Sequence, residues 1–488
     1  MLSSRSSTYG SDFLQLNTEE APAGGLADWL TGQLRLAVAD GRLPVGSRLP
    51  ATRSLATDLR VSRGVVTEAY QRLIEDGHAA GRGRAGTIVV AAPVVAAPLP
   101  DRSGPGAPPA APFSTAPGVD VFDALRAVPA RIDFSPGLPD LAAFPRAAWL
   151  RAERAVLHEL THADLGYGDP RGTRALREAV VNWLARNRGI RAHPDEVLVV
   201  AGVAQALGLL AQTLRPHGID EVALEDPGSL GVRQHLNHWQ METPAVPVDS
   251  QGIRVDALRA TGAAAVLLTP AHQFPTGVVL GGGRRRALMR WAEEGGLIIE
   301  DDYDAEHRYD RPPVPALRSM HPERVCYAGS VSKLLAPALR VGWVLAPPEY
   351  RDAMVAAKRY ADLGNPVLPQ LVLARLMESG ELERRLRLLR RRHRRRRDVM
   401  TEALAKHLPG VRVHGAAAGL HLMITFEEGF SDTGLAAEAL TRGVKVHPLS
   451  WHSVRPRGPG LVLGYAASPP AAITEGVATL GRVLRRLS

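Results

Sequence analysis

From about residue 91 to 128 the composition shifts to Ala, Pro and Gly (AAPVVAAPLPDRSGPGAPPAAPFSTAPG). Such a stretch lacks the spaced apolar side chains a core needs and reads as a semi-rigid, partly extended linker. This constrains the fold more than any other feature, because the chain must then form separate bodies on either side. We place one at 24–90, the linker at 91–130 and the second body at 131–488, with a large part to about 370 and a small part from about 371. Treated as a flexible coil, roughly 38 linker residues span on the order of 35 Å, and the prolines lengthen that. A length of 488 residues agrees with a multidomain chain.

The single cysteine, Cys326, excludes an internal disulfide and favours a reducing compartment. The N-terminus (MLSSRSSTYGSDF) has no apolar signal region, and no apolar run approaches a membrane span, so a cytoplasmic protein without membrane attachment is expected. The net charge of +9 is concentrated in ERRLRLLRRRHRRRRD, 383–398. Leu382, Leu386 and Leu389 keep helical spacing there, so this run reads as a long helix with a solvated basic face.

In the first body, Leu26, Leu30, Leu34 and Val38 share one helix face, and Gly41 stops that helix. Thr52 is placed to cap a short helix through Leu59. Ser62 is placed to cap a second one that turns Val65, Val66, Ala69, Tyr70 and Leu73 inward. Two short helices joined by a tight turn are a helix-turn-helix, whose second helix presents Arg63, Gly64 and Thr67 to the major groove. Arg48 and Arg53 sit where backbone contacts are useful. GRGRAG (81–86) satisfies a dinucleotide-binding pattern, but that pattern must follow a strand and open a helix; here it follows a helix and opens a strand, TIVV, as a hairpin turn would.

The second body alternates short apolar runs with amphipathic stretches. Strands are expected at 197–201, 222–225, 265–269, 297–301, 325–329 and 342–346, with helices such as 203–214 and 284–294 between them. That alternation indicates an α/β domain with a largely parallel sheet. Lys333 then falls at the carboxyl edge of the sheet, where such folds bind ligands. Ser330 and Ser332 offer hydroxyls, and Arg340 a charged fork, for a phosphate. A phosphorylated aldehyde attached to Lys333 as a Schiff base points to pyridoxal 5'-phosphate. Its ring nitrogen needs a carboxylate, and in IIEDDYDAEHRYD (298–310) that is Asp301, with Asp302 as the structural acid and Tyr303 toward the ring oxygen. No metal is expected, because the acids and His307 do not form a ligand set of known spacing. Ser330–Lys333 also fits the serine acyl-enzyme pattern, but its companion elements S-D-N and K-T-G are missing.

The run GRLPVGSRLPATRSLA…VSRGVVTEAYQRL resembles the GntR family of winged-helix regulators. The resemblance implies Arg53 and Arg63 as DNA contacts, with Arg82 and Gly83 at the wing tip. From 132 onward the chain resembles the fold-type-I aminotransferase domain of the MocR family. The match runs through LGYGDPRGTRALREAV (165–180), AGVAQAL (201–207), EDPG (225–228), TPAHQFPTG (269–277), EDDYDAE (300–306), GSVSKLLAPALRVGW (329–343) and LVLGYA (461–466). It implies the same roles for Lys333, Asp301, Tyr303, Ser330, Ser332 and Arg340, and it adds Gly202, Val203 and Ala204 at the cofactor. It also implies that Tyr167 reaches the phosphate of a neighbouring subunit in a head-to-tail homodimer.

Three positions depart from the aminotransferase pattern: Ser229 stands in place of a ring-stacking aromatic, Phe274 in place of Asn, and Val462 in place of the carboxylate-binding arginine. Losing such a bidentate clamp forfeits on the order of 2–3 kcal/mol of substrate binding. The chain is therefore expected to be a regulator rather than a working transaminase. It should bind a double-stranded operator with paired half-sites and sense a small-molecule effector, with vitamin B6 supply favoured over an amino acid or amine.

Overall fold

The computed structural model describes residues 16–22, 24–83, 86–91, 113, 116–309, 314–427 and 429–487. The chain divides into two compact units, residues 1–108 and 109–488. Most of the expected linker, 92–112 with 114 and 115, lies outside the described residues.

The first unit holds α1 (Leu26–Ala39), α2 (Thr52–Asp58), α3 (Arg63–Glu75) and an antiparallel hairpin of β1 (Ala79–Gly81) and β2 (Thr87–Val89). Leu30, Leu34 and Val38 of α1 meet Leu55 of α2 and Val66, Tyr70 and Leu73 of α3 in one core. Fully burying each leucine contributes about 1.5–3 kcal/mol. Tyr70 satisfies its hydroxyl by donating to the Pro50 carbonyl at 2.8 Å. The Ser62 hydroxyl accepts from the Val65 N–H and starts α3, as expected. Thr52, by contrast, is the first helical residue of α2, and Ala51 is the cap. The Thr52 hydroxyl accepts instead from Arg63 Nε at 3.3 Å. GRGRAG joins two strands, so its glycines serve a hairpin turn.

In the second unit the expected linker ends earlier than the composition suggests. Val121–Ala127 is a helix, α4, with Val121 and Leu125 buried in the unit's core, and Phe113 stacks on Trp451 at 5.0 Å. Two-residue β3 (Ile132–Asp133) follows, then α5 (Arg146–Glu159) and α6 (Arg174–Arg188). The central sheet is built from β4 (Val197–Val200), β5 (Val222–Asp226), β6 (Ala245–Asp249), β7 (Gly252–Ile253), β8 (Ala265–Leu268), β9 (Leu297–Asp302), β10 (Val325–Ser330) and β11 (Gly342–Leu345). Its order is β4-β11-β10-β9-β8-β5-β6-β7. The pairs from β10 through β6 are parallel, and β11 runs antiparallel to both neighbours. Helices α7 (Val203–Leu214), α8 (Leu230–His238), α9 (Val255–Thr261) and α10 (Gly282–Glu293) lie between these strands in sequence. All six expected strands are present.

Next come α11 (Pro348–Asp362) and α12 (Val367–Glu378), and then the small part, which opens with α13 (Glu381–His407). It contains β12 (Arg412–His414), β13 (His421–Thr425), α14 (Asp432–Thr441), β14 (Val444–Lys445), β15 (His447–Pro448), β16 (Gly460–Gly464) and α15 (Pro470–Leu487). The basic run lies on α13, where Leu382, Leu386 and Leu389 are buried. Part of its charge holds the fold together: Arg392 and Arg396 both pair with buried Asp140, at 3.1 and 2.9 Å. Among the described residues no helix is long and apolar enough to cross a membrane.

Candidate functional site

Parallel pairing of β9 with β10 aligns Asp301 with Ala328 and Asp302 with Gly329, so the ends of both strands meet at one sheet edge. Lys333 lies in the turn just past β10. A cavity of about 460 Å³ opens there, lined by Lys333, Asp301, Tyr303, Ser330, Ser332, Arg340, Gly202, Val203 and Ala204. The structure thus gathers at one place every cofactor residue expected from the sequence except Tyr167. That side chain is 95% exposed and does not line its own chain's cavity.

Burial pulls the Lys333 ammonium below its ordinary range, which raises the share of neutral, nucleophilic amine. Its Nζ donates to the Gly137 carbonyl at 2.5 Å. Asp301 is buried and its carboxyl is pushed up to about 7, first by desolvation and then by the charges of Asp302 and Asp304. Its Oδ1 has no hydrogen-bond partner among the described residues. Asp302, assigned from sequence as the structural acid, accepts from Arg188 Nε and from the Tyr327 hydroxyl, both at 2.5 Å. Tyr303 donates its hydroxyl to the His272 carbonyl at 3.0 Å. His272 Nδ1 bridges to Asp304 at 2.9 Å and lies 3.1 Å from the Tyr303 oxygen.

On the opposite wall, α7 begins at Val203 without a side-chain cap, after Gly202 at φ +82°. A methyl group on Gly202 would sit 3.3 Å from the Arg340 guanidinium, so glycine lets that cation approach the helix start. Arg340 reaches there from a left-handed backbone at φ +51°. An uncapped helix N-terminus, a guanidinium and two serine hydroxyls suit a phosphate. An orphaned buried carboxylate oxygen suits a protonated ring nitrogen. The residues present therefore fit pyridoxal phosphate.

The departures have clear structural settings. Ser229 caps α8 by accepting from the Val232 N–H at 3.3 Å. Val462 is fully buried with Met423 and Leu449, and Phe274 packs over that cluster. Sequence reasoning missed Phe122 and Leu125 of α4, Glu225, His447 and His452, which also line the cavity. Burial pushes Glu225 up to about 7 and His447 down to about 4. His272, Asp304 and His421 present ligand-type atoms within 4.8 Å of one another, a grouping the sequence spacing did not reveal. Within it His272 Nδ1 bonds to Asp304 and His421 Nε2 faces the Pro275 carbonyl at 3.3 Å, while His272 Nε2 and His421 Nδ1 have no hydrogen-bond partner among the described residues.

In the first unit, Arg53, Arg63, Gly64, Thr67, Arg82 and Gly83 are all exposed, and Arg48 is half-buried. Arg48 Nε lies 2.7 Å from where a Gly86 methyl group would be, which sets this side chain against the hairpin. Arg35 and Arg72 are occupied by ion pairs with Asp76 and with Asp28 and Glu68.

The model of aminotransferase class I and II matches residues 131–479, and that of the bacterial regulatory proteins of the gntR family matches 26–89. The chain is 32% identical to the probable rhizopine catabolism regulatory protein MocR of Rhizobium meliloti, over 92% of this chain and 91% of that one. It is 32% identical to the HTH-type pyridoxine biosynthesis transcriptional regulator PdxR of Corynebacterium glutamicum, over 86% and 87%. Among solved structures, alpha-aminoadipate aminotransferase LysN of Thermus thermophilus, complexed with N-(5'-phosphopyridoxyl)-L-leucine, aligns with a TM-score of 0.68 and 31% identity. That alignment covers 75% of this chain and 94% of LysN. Fold, cofactor pocket and relatives agree: the chain belongs to the MocR family, with a GntR-type winged helix joined to an aminotransferase class I and II domain that takes pyridoxal phosphate.

Proposed function

We propose that this protein is a DNA-binding transcriptional regulator whose second unit holds pyridoxal phosphate and reports an effector to the winged helix. The observation that carries the reading is a cavity that gathers the expected cofactor residues other than Tyr167 beside an apolar Val462. Lys333 attaches the cofactor, Asp301 faces the ring nitrogen and Tyr303 the ring oxygen. Ser330, Ser332, Arg340 and the Gly202–Ala204 helix start hold the phosphate. When bound, the cofactor supplies an aldehyde reactive toward primary amines.

Among the described residues, Val462 stands where an arginine would anchor the carboxylate of an α-amino acid. Catalysis depends on such positioning, so the arrangement favours sensing the cofactor itself or an amine over turning over amino acids. The exposed Tyr167 suits a role in a partner subunit's pocket within a homodimer, which would present two winged helices to paired half-sites.

The test is a gel shift on the native upstream DNA, with apo and cofactor-loaded protein, beside transaminase assays with a panel of amino acids. A cofactor-dependent change in operator affinity without keto-acid release supports the reading. Rapid turnover with unchanged DNA affinity overturns it.

A further inference from the structure

Five rings follow one another along the cavity wall: Tyr303, Phe274, His452, His447 and Phe122. Successive centroids lie 6.3, 5.0, 6.0 and 5.6 Å apart, the spacing at which aromatic side chains attract one another. The ribbon starts at a residue assigned to the cofactor and ends on α4. A further aromatic ligand extends such a series by the same contacts.

The cations on this wall have acidic neighbours. Lys445 Nζ lies 3.5 Å from Asp133, and Arg126 pairs with Asp123 on its own helix. Burial keeps His447 and His452 neutral near pH 7. Among the described lining residues, the remaining cations are Lys333 and Arg340, both assigned to the cofactor. Phe274 covers the buried Val462 cluster, so that side of the wall offers no charge. A ligand carboxylate placed here would lose its hydration and have to compete with Asp123 and Asp133 for Arg126 and Lys445. One other cation lies nearby: Arg233 on α8 has buried Nε and Nη2 atoms without hydrogen-bond partners. It does not line the cavity, and the Asp226 carboxylate is the charge that acts on it.

We infer that the ribbon-walled part of the cavity takes an aromatic amine that carries no carboxylate, and that Phe122 is the residue that selects it. This rests on the cofactor reading above, which makes primary amines the natural probes.

The experiment titrates full-length, cofactor-loaded protein with phenethylamine, phenylalanine and butylamine by calorimetry, while the visible absorbance of bound cofactor is followed. Phenethylamine is expected to bind at least tenfold more tightly than either of the others. Phe122→Ala should cost about tenfold for phenethylamine and leave butylamine and cofactor content unchanged. Phe122→Leu, which keeps apolar packing for the fold, should show the same selective loss. Phenylalanine binding as tightly as phenethylamine overturns the inference, and more so if Arg233→Gln then abolishes it, since the cation would have been found outside the ribbon. Equal loss for both amines in the Phe122 variants also overturns it, by making Phe122 a packing residue. Protein that takes up no cofactor at all defeats the underlying functional reading instead.

Discussion

The ring of Phe122 stacks on the imidazole of His447, with centroids 5.6 Å apart and planes 24° from parallel. One partner belongs to the first helix after the Ala/Pro-rich stretch, and the other to a two-residue strand in the small part. The chain just before this helix is tied to the large part, where Gln234 of α8 donates to the Gly118 carbonyl at 2.7 Å. The stretch of chain leading from the winged helix is thus anchored in a wall of the cofactor cavity.

Lys333→Ala should abolish covalent attachment of cofactor and leave the fold intact. Among the described residues its amine donates only to the Gly137 carbonyl, so no core pairing between side chains is lost. The check is borohydride trapping followed by peptide mass. Label recovered at any other lysine would move the site.

Asp301→Asn gives a prediction with opposite signs in the two states. Burial holds the Asp301 carboxyl at about 7, above its ordinary 3.8. The folded apo protein therefore binds this proton more tightly than the unfolded chain does. The resulting penalty is absent below pH 4, grows as pH rises through 4–7 and is complete above 7. The asparagine variant removes a penalty on the order of 2–4 kcal/mol, so the apo variant should melt higher than wild type at pH 8 and equally at pH 4. With cofactor loaded at pH 8 the order should reverse, because the ring nitrogen loses its anionic partner. Thermal melts of both forms across this range decide it.

Arg63→Ala should weaken operator binding by about 1–3 kcal/mol, as for a lost base or charged contact, without changing cofactor affinity. Thr52→Ala should cost less, since its hydroxyl only steadies the Arg63 guanidinium at 3.3 Å. Unchanged gel-shift affinity for Arg63→Ala would take that residue off the reading surface.

The sequence could group the residues proposed for the cofactor for a local reason. Lys333, Asp301 and Arg340 each sit a few residues from the end of an apolar run, so finding the strands placed them together. Strand β6 was missed because Pro247 interrupts it and most of its residues are only half-buried. The ribbon was illegible because Phe122, Phe274, His447 and His452 are far apart in the chain and meet only through tertiary packing. Helix α4 was hidden by its neighbours: averaged with an Ala/Pro stretch, VFDALRA looks like linker, and only the buried Val121 and Leu125 reveal what holds it.

Tyr167 should act across a dimer, and complementation can show it. A mixed dimer of Lys333→Ala and Tyr167→Ala chains contains one intact pocket only if Tyr167 serves its partner's site. The expected result is half the wild-type cofactor load at wild-type affinity. A mixed dimer that holds no cofactor tightly would place Tyr167 elsewhere.

The last prediction concerns how the cavity speaks to DNA. A Pro/Ala-rich segment cannot transmit a rigid twist, so the cofactor cannot reshape each winged helix through it. What it can change is the anchor. Phe122, Leu125 and Arg126 line the cavity, and filling that cavity fixes where the segment leaves the second unit. In a dimer this alters the separation available to two readers, and therefore their effective concentration on paired half-sites. Pyridoxal phosphate should then shift affinity for the paired operator and barely shift affinity for an isolated half-site. Phe122→Ala should blunt the paired-site response while leaving half-site binding alone. Both DNAs are titrated with apo and loaded protein at one fixed salt concentration, since salt alone moves such affinities strongly. An equal shift on both DNAs would mean that the cofactor acts on each reader directly, and the anchoring mechanism would be wrong.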